Sequence, residues 1–267
     1  MTKHSPPVYA VFILSAVAIA YEILLIRVFS IIQWHHFAYM VISLALLGDA
    51  ASGTFLTLVR SWLRPRFAAV FMFCATAFAL TMIGALQLAL QLPFNALEIA
   101  WDIRQWGYLT LIYLLLATPF FFVASCVCLT FSRFGRAIGR VYSFDLLGAG
   151  VGALALVVAL FYIPPDTALR GLSLLALAAA ALAGFEYGAE KSYRVALLSL
   201  FAATGLTMLP DQWLEFPMSE YKGLRQWLQV PGAEVVAERS SPLGLLSVVE
   251  SRRIPWRRRA PRRGTQR

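Results

Sequence analysis

Seven apolar stretches, separated by short polar or basic breaks, fill most of the first 210 residues: 8–32, 37–59, 67–92, 106–131, 141–163, 168–185 and 195–209. About 20 apolar residues in a helix cross the roughly 30 Å of bilayer hydrocarbon. Backbone polar groups in that medium must be satisfied internally, which leaves helices and closed barrels as the spanning forms. The pattern therefore predicts an all-α fold, a polytopic membrane helix bundle of six to seven spans. The first stretch is too long for a removable leader, and its basic flank is only Lys3, so it reads as a retained helix. The seventh stretch has only 15 residues between Arg194 and Pro210 and is short for a crossing. Six full spans plus one partial segment is the preferred count.

The pattern changes after Pro210. Residues 211–229 are mixed and Trp-containing, as in a short amphipathic helix, and Pro231-Gly232 ends it. Residues 234–237 and 245–249 read as two strands around the turn Ser240-Ser241-Pro242-Leu243-Gly244, a hairpin. A lone hairpin is marginal in water, so this one is expected to belong to a larger sheet. The chain thus divides into a membrane region over 1–210, a linker with a β-hairpin over 211–250, and an Arg-rich disordered tail over 251–267.

Composition supports the membrane reading. The chain is 60% hydrophobic and 14% charged, far more apolar than a soluble domain needs. The formal net charge is +9, but eight arginines and no acid lie between Arg252 and Arg267, which leaves +1 for everything before them. The basic balance belongs to a tail, and no nucleic-acid partner is expected. The tail has two readings. A polybasic stretch beside a bilayer attracts anionic lipid head groups. Arg, Pro, Gly and Trp are also what a GC-rich gene yields in a shifted frame, and the abrupt change after Glu250 favours that reading.

Basic residues also set an orientation. Arg60, Arg64, Arg66, Arg133, Arg136, Arg140, Lys191 and Arg194 fall in alternate loops, whereas the other loops hold only Arg104 and Arg170. The positive-inside rule then places the N-terminus in the cytoplasm.

Few side chains in the spans carry chemistry. Glu22 lies about 14 residues, roughly 21 Å, into the first stretch, and Arg27 is near its far end, where it can snorkel to the interface. An ionisable side chain at such depth is by default a functional-site hypothesis. Glu22 and Arg27 are about 140° apart around a helix and do not form an i,i+4 pair. Asp49 and Asp145 are the candidate partners, and an Arg27–Asp49 or Arg27–Asp145 pair would tie helices together. The alternatives are polar contacts that fix packing and a proton or substrate pathway. Gly148 and Gly152 form a small-xxx-small face for close helix approach, with Asp145 one turn before it. The G-x-G-x-G run at 148–152 has neither the spacing nor the context of a dinucleotide fingerprint. Trp34-His35-His36 reads as an interfacial belt, not a metal site. Cys74, Cys126 and Cys128 read as buried small apolar residues. No metal and no cofactor are expected.

Four segments occur in order: Tyr21-Glu22-Ile23-Leu24-Leu25-Ile26-Arg27; the small-residue stretch from Gly48 to Gly53; Gly139-Arg140-Val141-Tyr142-Ser143-Phe144-Asp145-Leu146-Leu147-Gly148-Ala149; and Ser240-Ser241-Pro242-Leu243-Gly244. Together they resemble the membrane-embedded spermidine synthase-like proteins of bacteria, over nearly the whole chain to about Glu250. The resemblance implies a bacterial inner-membrane, multi-pass protein in which the helices precede a polyamine aminopropyltransferase-like domain with a methyltransferase-type nucleotide fold. It also implies that 221–249 is the linker and first hairpin of that domain. Two departures stand out. No glycine-rich strand-to-helix turn follows residue 250, so the catalytic positions of the family have no counterparts, and a truncation before the catalytic domain is expected. Asp49 also puts a charge in a stretch that is usually uncharged in the family.

Three functions fit. The chain is a spermidine synthase-like membrane region, without catalysis of its own, that anchors and binds a small cationic amine. Alternatively it is a small-molecule transporter using its embedded carboxylates, although no repeated halves are visible. Or it is a structural anchor. Partners are the bilayer and, through small-residue faces, another copy or other membrane helices.

Overall fold

A computed structural model of the chain describes residues 5–32, 36–95, 98–187, 198–199, 201–203, 205, 233–240 and 245–251. Among these, six helices are long and apolar enough to cross a membrane. They are α1 (Val8–Ile32), α2 (His36–Leu63), α3 (Phe67–Gln91), α4 (Ile103–Arg133), α5 (Ile138–Ala159) and α6 (Pro165–Tyr187). The apolar stretches locate all six to within about a turn at each end; some helices run on into polar flanks such as Ser61 and Arg133, whereas α5 stops at Ala159, short of the end of its stretch. Most of the seventh stretch lies outside the described residues. β1 (Ala233–Ser240) and β2 (Leu245–Ser251) pair antiparallel, with a register irregularity between Val235 and Ala237.

Local chemistry sets the helix ends. α3 stops where Leu92, extended at ψ 130°, precedes Pro93, because the ring of a proline disfavours helical backbone in the residue before it. Asp102 caps α4, its side chain accepting from the backbone N of Arg104 at 3.0 Å. α6 begins on Pro165, whose missing N–H costs nothing at a first-turn position.

The start of α1 is held by the last turn of α6. The Glu186 carboxylate accepts from the backbone N of Tyr9 at 3.1 Å and of Ala10 at 3.0 Å. Two otherwise orphaned first-turn donors are thereby satisfied by a negative charge at the positive end of the helix dipole. Glu186→Ala is expected to destabilise the bundle by about 1–2 kcal/mol. It should also speed amide hydrogen exchange at Tyr9 and Ala10 relative to mid-helix amides. Unchanged exchange there would mean that the contact holds nothing.

α1 is the central helix, touching α2, α4, α5 and α6, while α3 packs between α4 and α6. Tyr21 is fully buried, donating to the Met82 carbonyl at 3.0 Å and stacking near Phe120. α5 is more peripheral and leans chiefly on α1. A Cβ at Gly148 would collide with the Phe12 carbonyl, and one at Gly152 with the Ala16 carbonyl. The two backbones therefore meet directly, as small residues permit in lipid. Gly48 plays the same part between α2 and α4, where a Cβ would lie 2.7 Å from the Ala117 oxygen and 2.8 Å from the Phe121 nitrogen.

Candidate functional site

The close α1–α5 and α2–α4 contacts leave a groove of about 340 Å³ between these four helices. α1 and α4 form its floor, and α2 and α5 flank it without packing extensively on each other. Its polar lining is Ser15, Asp49, Cys128 and Asp145, and Ala18, Ile19, Val123, Ala124, Val127 and Ala149 complete it. Among the described residues, no basic side chain lines it.

Each polar group is placed by a packing feature. Asp145 lies one turn before Gly148, so the backbone contact that seats α5 turns Asp145 toward α1, where the Ser15 hydroxyl donates to its Oδ1. Asp49 follows Gly48, the residue pressed on the α4 backbone, and the hydroxyls of Ser52 and Ser125 bond across the same interface at 2.9 Å. Asp49 is exposed at the groove, Asp145 is partly buried, and Asp49 lies within electrostatic range of both Asp145 and Glu22.

Ser15, Ile19 and Glu22 stand at i, i+4 and i+7, on one face of α1. Glu22, partly buried, thus continues the line of the groove about 10 Å beyond Ser15 along the helix. Three carboxylates from three helices are strung along one track inside the hydrocarbon region.

Arg27 is not part of this track. It makes no ion pair with Asp49 or Asp145, because twelve residues separate it from Ser15, about 18 Å along α1 and 120° around it. Its side chain is buried, with only 4% of its surface accessible. Its face of α1 is covered by neighbouring helices.

Cys126 is buried and its Sγ donates to the Phe71 carbonyl at 3.5 Å, with the Cys74 thiol beside it on α3. Cys128, two residues on, points the other way into the acid groove. Among the described residues no group of three or more His, Cys, Asp or Glu is arranged to hold a metal ion. The side chains of Trp34, His35 and His36, and the arginines from Arg252 to Arg267, lie outside what is described. Sequence reasoning passed over Ser15 and Cys128 as groove residues. The i, i+7 spacing of Ser15 and Glu22 was the signal for the first, and nothing local marks the second.

The chain matches no protein-family model, no curated protein and no solved structure.

Proposed function

We propose that this multi-pass membrane protein is the membrane region of a spermidine synthase-like protein and that its acid groove binds a small cationic amine. The ordered sequence segments support the relationship. One observation carries the ligand class: Asp49 and Asp145, from different helices, face one groove that has no basic side chain among the described residues. An ammonium group supplies the missing positive charge and up to three N–H donors for carboxylate and hydroxyl oxygens. The volume lies at the lower end for small-molecule sites, which favours a slender ligand. In this reading the protein anchors and presents an amine and does no bond chemistry itself. The basic flanks of the helices support an N-terminus on the cytoplasmic side.

A second reading, carriage of the amine across the bilayer, is favoured by the Ser15–Glu22 line, which carries the acid track deeper than the groove alone. Purified protein in lipid nanodiscs is expected to bind labelled spermidine saturably. Absence of saturable binding rejects the amine site. In proteoliposomes, spermidine uptake that exceeds empty vesicles and falls in Glu22→Gln indicates a carrier. Uptake equal to empty vesicles, with binding retained, indicates an anchor.

A further inference from the structure

Ring contacts gather several helix ends at one end of the bundle. Tyr9 of α1 meets Phe144 of α5 edge-on at 5.5 Å. Phe67, the first residue of α3, packs against Phe134 just past α4 at 5.4 Å and against Tyr187, the last residue of α6, at 5.0 Å. α2 reaches this end through a 3₁₀ turn, Arg64–Arg66, which packs on α4. A second 3₁₀ turn, Gly135–Ala137, links α4 to α5. Phe67 directly follows the first turn and Phe134 directly precedes the second, so the contact between the two rings sets the turns side by side.

Arg60, Arg66, Arg133, Arg136 and Arg140 are exposed at this end, and among the described residues none of them makes an ion pair. Like charges gathered on adjacent turns repel one another and attract an anion. Arg66 is held in place: its guanidinium carbon lies 4.6 Å from the centre of the Trp62 ring, and its Nη1 is 3.5 Å from the Trp62 carbonyl oxygen. A guanidinium laid on an indole keeps the rest of its fork free for another acceptor. The described acids on this side are already engaged. Glu186 caps α1, and Asp145, about 8 Å deeper along α5 than Arg140, takes the Ser15 hydroxyl. Trp62, Ile138 and Tyr142 are exposed beside the arginines. Cations interleaved with exposed rings and aliphatic groups suit the boundary between hydrocarbon and head groups. A soluble acidic partner would answer the charges but leave those apolar groups unmatched.

We propose that the two turns form a docking surface for an anionic phospholipid, with the phosphate taken by Arg66 and Arg133 and an acyl chain lying along α2. Phe55, Leu58 and Trp62 are exposed and stand at i, i+3 and i+7, one stripe of α2 that leads from the hydrocarbon up to Arg66. Phe121 of α4 packs beside Phe55 at 5.7 Å and widens that apolar strip. Basic clusters next to membrane helices bind anionic head groups by charge, and the planar guanidinium suits bidentate contact with phosphate oxygens. A net-negative head group is favoured over a zwitterionic one, whose own cation would stand among the other arginines. The surface is separate from the acid groove, and its test does not depend on amine binding.

Native mass spectrometry of the delipidated full chain, titrated with phosphatidylglycerol, phosphatidylcholine or glycerol phosphate, tests the assignment. Phosphatidylglycerol is expected to bind at concentrations where phosphatidylcholine does not. Arg66→Gln should weaken that binding by about fivefold, and Arg66→Gln combined with Arg133→Gln by about twentyfold or more. Both side chains are exposed, so neither change reaches the core. Arg104→Gln, an exposed position at the start of α4 and so at the opposite end of the bundle, should leave binding unchanged. Equal binding of the two phospholipids would overturn the proposal, as would parent-like phosphatidylglycerol binding in the double variant. A loss in Arg104→Gln equal to that in Arg66→Gln would also overturn it, since the response would then be to net charge alone. Glycerol phosphate bound as tightly as phosphatidylglycerol, with the same dependence on Arg66, would overturn the lipid assignment in favour of a soluble phosphate ester.

Discussion

Gly152→Leu is expected to cost the bundle about 3 kcal/mol or more and to detach α5 from its seat. Overpacking a core usually costs about 1–3 kcal/mol, because side chains can move aside. Here the obstacle is the backbone carbonyl of Ala16, which no rotamer change can relieve. α5 would have to back away from α1, and α1 is its principal neighbour. The control lies on the same helix: Gly150 faces outward and a Cβ there meets nothing within 4 Å. Gly150→Leu should change stability by about 0.5 kcal/mol or less. Thermal unfolding in detergent reads both. Equal losses in the two variants would show that the α1–α5 contact is not what the glycines serve.

The second large effect concerns the acid groove. Asp145→Asn and Asp49→Asn each remove one negative charge with little change of shape, and the carboxamide oxygen introduced by Asp145→Asn can still accept from Ser15. A charge-assisted hydrogen bond contributes about 1.5–3 kcal/mol, so each change should weaken spermidine binding roughly 10–100-fold. The double variant should bind no better than bare nanodiscs. Because both acids face the same bound cation, the two effects should not be additive. Parent-like affinity in the double variant would remove the groove from consideration, whatever the fold.

Much of the architecture was legible because lipid imposes one rule on every span, and run length alone satisfies it. The helix-packing role of Gly148 and Gly152 could be read from spacing, and so could the hairpin at 233–251. What could not be read was the rotation of each helix about its axis. α1 is apolar on nearly every side, so its sequence does not reveal which face meets which neighbour. That is why Arg27 was expected to pair with an aspartate or reach the interface. Its azimuth, fixed by the backbone contact with α5, turns it away from both aspartates. Ser15 shares a face of α1 with Glu22, but its spacing alone does not reveal that Asp145 of another helix is its partner. Glu186 lies 177 residues from the amide of Tyr9 that it caps, and no local signal links them.

The paired glycine seats also work as an index. Their four-residue spacing fits the Phe12 and Ala16 carbonyls, and the next step along α5, Leu156, is too large to take a glycine's place. The helix therefore cannot slip by a turn. Asp145 stands three residues ahead of the first seat, so its height and bearing are dictated by counting from that point. Inserting or deleting one residue between Asp145 and Gly148 would swing the carboxylate by about 100° and take it off the track while leaving the seats filled. Side chains on the outer surface of α5 can vary widely, whereas this short interval has no such freedom.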